Sequence, residues 1–165
     1  MKTILEIFYM RIVGKNVRYQ RKVANLSRRG RDPDAIIQDL IREKRRTDAG
    51  EVEEQEFIVH STSWRYERGT ILLTYAAYSD ELEFKKGTFK SLSLNRLRTI
   101  QKKSHKPRSQ TELHNKVVSH AIRHIAFLIQ LGEDDFKSVL TSGTAKVFET
   151  IWGNLAGEVL ERGNR

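Results

Sequence analysis

No cysteine occurs anywhere in the 165 residues. That excludes a disulfide framework, a thiolate zinc site and a cysteine nucleophile, and it fits a reducing compartment, so a cytoplasmic location is expected. Long apolar runs are missing too. The longest, Ile125 to Ile129, is far short of the roughly 20 residues a membrane-spanning helix requires, so no transmembrane segment is expected. The opening MKTILEIFYMRIVGK is interrupted by Glu6 and Arg11 and is followed by no small-residue cleavage site, so it does not read as a signal peptide. Neither glycine pattern of a phosphate-binding loop is present, no paired carboxylates stand out from the acidic stretch near residue 50, and no internal repeat occurs.

What the chain has in excess is positive charge, and it lies in blocks. The formal net charge is +9, made of +8 over residues 1–47, −7 over 48–84, +9 over 85–108 and −1 over 109–165. The third segment holds no acidic residue at all. Such blocks attract polyanions: nucleic acid, anionic surfaces or acidic protein partners.

The length suits one domain able to bury its own core. Its fold class is expected to be α+β, a small antiparallel sheet centred on a hairpin over residues 57–78 and packed against a helix over 109–131 and further helices. In the hairpin, FIVHSTSWRY and TILLTYAAY are rich in β-branched and aromatic residues and flank the turn-forming Glu67-Arg68-Gly69. Strict alternation places Phe57, Val59, Ser61 and Ser63 on one face and Ile58, His60, Thr62 and Trp64 on the other. The second arm is apolar on both faces and reads as an inner strand.

Residues 2–13 fit a strand or a short buried helix equally well. Asn16 to Arg29 has a spacing compatible with an amphipathic helix with a basic outer face, stopped by Gly30. Asp32-Pro33 starts a helix to about Arg46, with Asp32 as the cap and Pro33 where a missing donor costs nothing. Residues 85–108 give no clear element, and 101–108 read as a mobile basic loop. Ser109-Gln110-Thr111-Glu112 matches a capping box ahead of the broad apolar stripe of the core helix, which Gly132 ends. Shorter helices over 134–140 and 144–160 complete the chain.

Three groups of residues are candidates for function. Arg42, Lys44, Arg45 and Arg46, with Lys102, Lys103, Lys106 and Arg108, form two basic clusters for anion binding, although positive charge in the last turns of a helix also complements its dipole. His60, Thr62, Trp64 and Arg65 combine imidazole, hydroxyl, indole and guanidinium groups within one strand, enough to line a pocket for a polar or anionic ligand, although cross-strand pairing explains the same residues. His120 and His124 lie four apart on the core helix and, with His60, would make a metal site. The sequence His120-Ala121-Ile122-Arg123-His124 lacks the glutamate of a zinc-protease motif. A serine nucleophile is not favoured, because His60 and Ser61 point to opposite faces of a strand. Nothing identifies a cofactor.

The run His-Ser-Thr-Ser-Trp-Arg at 60–65 with Ile-Leu-Leu-Thr-Tyr at 71–75, and more loosely the stretch at 120–124, resembles a bacterial protein group found mainly in cyanobacteria and actinobacteria. The resemblance brings no activity with it. A strand pair followed by a long helix also invites comparison with Nudix-type nucleotide pyrophosphatases, whose Arg-Glu-x-x-Glu-Glu signature is missing here. The expectation from sequence is a basic domain that binds an anionic partner, nucleic acid or an acidic protein surface, without catalysis. The alternative is a small-ligand or metal pocket where the His60–Arg65 strand meets the His120/His124 face.

Overall fold

The computed structural model describes residues 2–26, 32–45, 55–102, 106–132, 136 and 138–162. The chain divides into two compact units, Met1–Ser91 and Leu92–Arg165. The fold is α+β, as the pattern of elements implies, but the sheet is mixed rather than antiparallel.

The first unit is built on β1 (Lys2–Val13), whose ILEIFYM stretch is buried almost without a break. It is a strand, which settles the ambiguity at residues 2–13. Gly14, with φ of 58°, turns the chain into β2 (Asn16–Asn25), antiparallel to β1 with Val13 opposite Asn16. The helix expected over 16–29 is therefore not formed. The buried Val17 and Tyr19 alternate with less buried Asn16, Arg18 and Gln20, a period of two that pairing with β1 rewards and an isolated helix would not. The stop expected at Gly30 lies outside the described residues.

Helix α1 (Pro33–Lys44) starts as its sequence dictates, with the Asp32 carboxylate accepting from the Asp34 N–H at 3.4 Å. Its apolar stripe, Ile37, Leu40 and Ile41, is buried with Leu5, Ile7 and Tyr9 of β1 and with Tyr75 and Ala77 of the hairpin. The Tyr9 hydroxyl donates to the Leu40 carbonyl at 2.9 Å, and the Tyr75 hydroxyl donates to Asp34 Oδ1 at 2.9 Å. Burial and that carboxylate push the Tyr75 phenol up to about 12, so it stays a donor at neutral pH.

The hairpin is β3 (Ile58–Glu67) and β4 (Thr70–Tyr78), antiparallel, with Glu67 opposite Thr70. Only Arg68 and Gly69 lie between them, both at positive φ, 47° and 79°. This is the backbone of a two-residue hairpin turn, for which Asn-Gly is the preferred pair. Arg68 bears the steric cost of the left-handed region. Arg68→Asn is expected to stabilise the unit by about 0.5–1 kcal/mol, read as a higher urea midpoint at unchanged slope. A lower midpoint would mean that Arg68 has contacts worth more than its strain.

β4 lies inside the sheet, as its two apolar faces imply, but its second neighbour is β1, in parallel, from Lys2 opposite Thr70 to Met10 opposite Tyr78. The strand order is β3-β4-β1-β2-β5, and the division between the units falls within the last strand, β5 (Lys90–Ser93).

In the second unit a 3₁₀ turn (Leu94–Arg96) leads into α2 (Leu97–Lys102), so residues 97–102 are helical; 103–105 of the segment expected to be mobile lie outside the described residues. α3 (Gln110–Gln130) has Ser109 as its cap, accepting from the Glu112 N–H at 3.1 Å. The Glu112 carboxylate reaches back one residue further than a capping box requires, to the Arg108 N–H at 2.8 Å. α4 (Ser142–Arg162) pairs with α3 in part through Phe127 and Trp152, whose ring centroids are 5.5 Å apart. Of the expected 134–140 helix, residues 134, 135 and 137 lie outside the described residues. Among the described residues no helix is long and apolar enough to cross a membrane.

Candidate functional site

Two polar constellations stand out in the first unit, one on each face of its sheet. The first centres on Glu6, whose side chain is 0% exposed in the middle of β1. A lone carboxylate in so apolar a strand must find partners or lose its charge. Three other strands of the sheet supply them. Arg21 of β2 donates to Oε2 at 2.7 Å, and Thr74 of β4 donates to Oε1 at 2.6 Å. Arg65 of β3 closes on both oxygens, Nη1 on Oε1 and Nη2 on Oε2 at 3.1 Å. Burial alone would raise the Glu6 pKa. The hydrogen bonds from Arg65, Thr74 and Arg21 outweigh it and hold the carboxyl below its ordinary value.

Arg65 reaches Glu6 because β3 does not alternate strictly. The register shifts between Ser61 and Ser63, where Thr62 bulges and its hydroxyl donates to the Thr74 carbonyl at 3.2 Å. Beyond the bulge the faces exchange. His60 and Arg65 share the Glu6 face, while Trp64, opposite Leu73, moves to the other and is 70% exposed. The expected grouping of His60, Thr62 and Trp64 on one face is thus broken up, and Arg65 is committed to Glu6 and to Glu67 Oε1 at 2.7 Å. A guanidinium with two carboxylate partners is a latch across the sheet and has little left to offer a ligand.

The second constellation lies on the α1 face. A cleft of ≈ 820 Å³ opens among the end of α1, β2 and the segment after β4. Tyr9, Leu82 and Phe84 give it an apolar lining, Gln20, Gln55 and Thr88 add neutral polar groups, and Lys22, Lys44 and Lys85 supply cations beside Arg21, which is bound to Glu6. Lys44 is the centre. Its ammonium lies 5.7 Å from the Tyr9 ring centroid and 5.4 Å from that of Phe84, and it donates to Gln20 Oε1 at 3.1 Å. Among the described residues no carboxylate pairs with it. Burial first, and then the charges of Lys22 and Lys85, draw its pKa below the ordinary lysine value. Lys22 is paired with Glu43 at 2.7 Å, and Glu81 and Glu83 line the same cleft from exposed positions.

Among the described basic residues singled out from sequence, Lys44 alone lines this cleft. Arg42 pairs with Asp39 at 3.1 Å on the outer side of α1. Arg45 stacks over Phe57 at 5.6 Å, and its Nε has no hydrogen-bond partner among the described residues. Lys106 and Arg108 are exposed in the second unit. Arg46, Lys103 and the side chain of Lys102 lie outside the described residues. Lys22 and Lys85 were not singled out; the signal was their membership of the two basic blocks, but only the fold brings them to Lys44.

His120 and His124 belong to the second unit, with ring centroids 5.9 Å apart. Among the described residues no three histidine, aspartate or glutamate side chains are grouped to hold a metal ion, and His60, the expected third ligand, belongs to the first unit. Two adjacent imidazoles fall short of the ligand count such a site needs. No family model, no curated protein and no solved structure matches this chain.

Proposed function

We propose that this chain is a noncatalytic binding module for an anionic partner, nucleic acid or an acidic protein surface, and that its first unit makes the central contact through the Lys44 cleft. One observation carries the reading. Lys44 is held half-buried between two aromatic rings, beside two further lysines, with no carboxylate of its own among the described residues. A protein gains nothing in stability by drawing like charges around a desolvated ammonium; an arriving anion relieves both the repulsion and the burial cost. The two basic blocks, far apart in sequence, both contribute, Lys22 and Lys44 from the first and Lys85 from the second.

The test is equilibrium binding of labelled DNA, RNA and an acidic peptide as salt is raised, beside a basic protein of matched charge. For a nucleic-acid partner, replacing Lys22, Lys44 and Lys85 together by glutamine is expected to weaken binding at least tenfold and to lower the log–log salt slope by about 1 for each lysine that meets a phosphate. Replacing Lys102, Lys103, Lys106 and Arg108 should change affinity less. Undiminished binding by the cleft variant would overturn the assignment.

A further inference from the structure

Resting on that reading, we infer that the Lys44 cleft accepts a terminal phosphate monoester, carried by a nucleic-acid strand end or by a small phosphorylated molecule, rather than the internal phosphodiesters of a strand. Three features point there. The cleft has depth. Its lining includes the buried Tyr9, Leu82 and Gln55, and the Lys44 ammonium sits within it rather than on a ridge. An internal diester has chain leaving it on both sides, so it is met by exposed side chains along a groove; a group at the end of a molecule can enter a cleft head first. Its volume of ≈ 820 Å³ lies in the range of small-molecule sites, roughly 300–1,000 Å³, and is large enough for a phosphate together with the nucleoside or other body that bears it.

The cations suit the same group. Lysine meets phosphate as a point charge with three rotatable donors and imposes no planar geometry. A monoester carries close to two negative charges at neutral pH and three free oxygens, against one charge for a diester. Lys44 has Lys22 and Lys85 near enough for their charges to act on it, and Lys22 is itself held by Glu43. Gln20, Gln55 and Thr88 bring neutral donors to the same lining. Glu43 is occupied by Lys22, and the exposed Glu81 and Glu83 act through water, where their opposition to an anion is weak.

The experiment compares one single-stranded decanucleotide with a 5′-phosphate, with a 3′-phosphate and with hydroxyls at both ends, and uses adenosine monophosphate and inorganic phosphate as competitors. On the wild-type chain a terminal phosphate is expected to tighten binding about tenfold or more, the worth of a charge-assisted contact to a half-buried cation. That preference should fall to near unity in Lys44→Gln and Lys44→Met. Displacement by adenosine monophosphate at concentrations near those of the phosphorylated strand would assign the site to small phosphorylated molecules. A terminal preference without such displacement would assign it to strand ends; both results support the inference. Equal binding of all three strands, with no effect of either competitor, would overturn it while leaving salt-dependent attachment intact. Binding of neither strand nor competitor above the basic control would overturn the anion-binding reading as well. The comparison of strands uses only the wild-type chain, so a variant that fails to fold cannot leave the question open.

Discussion

Arg65→Ala is expected to destabilise the first unit by about 3–5 kcal/mol, the usual cost of removing one partner from a buried ion pair. The reason lies less in the lost attraction than in what stays behind. Glu6 is 0% exposed, while Arg65 and Arg21 keep 21% and 30% of their side chains in contact with solvent. Deleting the carboxylate leaves two arginines that can turn partly to water; deleting Arg65 leaves a carboxylate that cannot, with Arg21 and Thr74 as its remaining partners. Arg65→Ala should therefore cost more than Glu6→Gln, an order opposite to that expected if burial of the removed side chain decided the matter. Urea denaturation with hydrogen exchange of the β1 and β4 amides would measure both. A cost for Arg65→Ala below about 1 kcal/mol would show that the network does not hold the sheet.

The same network fixes an acid limit. The folded-state pKa of Glu6 is below its ordinary value of 4.5, so as pH falls the unfolded chain takes up the proton first. The stabilisation is complete above that ordinary value and is lost as pH drops through the folded-state value. In Glu6→Gln this acid-dependent component should vanish, and in Arg65→Ala it should shrink, because the carboxyl loses the first of the bonds that kept it ionised while those from Thr74 and Arg21 remain. An unchanged stability profile between neutral pH and pH 3 in the wild type would contradict the assignment.

Ile37→Ala carries the second large effect, about 2–5 kcal/mol by the measure of buried aliphatic truncations. Ile37 is 1% exposed and packs α1 onto β1 and β4. A helix of this length has little stability of its own in water, so its docking is what keeps it folded. Lys44 is its last residue. Loosening α1 should therefore remove anion binding together with α1 amide protection, while β1 and β4 amides remain protected longest. Ile36→Ala, at a partly buried position on the same helix, should do less on both counts. Retention of full affinity in Ile37→Ala would mean that the anion contact does not depend on the docked helix.

The two polar sites differ in how far sequence could have foretold them. A single glutamate inside ILEIFYM announces a buried carboxylate in search of partners. Which partners it finds depends on the parallel pairing of β1 with β4 and on a one-residue bulge in β3, and neither leaves a local signature. The bulge also explains why alternation grouped Trp64 with His60. One extra residue exchanges every face beyond it. The lysines were visible only as blocks of charge, since residues 22, 44 and 85 lie on different elements and meet through register and helix docking.

Local chemistry, then, was enough for much of the outline. The α+β class, the hairpin and its turn, the Asp32-Pro33 helix start, the Ser109 cap and the apolar stripe of α3 follow from backbone preferences and spacing, which act over a few residues and so are written in the order of the amino acids. Tertiary structure decided the rest: that residues 16–25 pair as a strand instead of coiling as a helix, that β1 runs parallel to β4, that Arg65 faces Glu6, and that three distant lysines surround one cleft. Each depends on free energy gained only when segments remote along the chain are brought together, and no stretch of sequence carries that term alone.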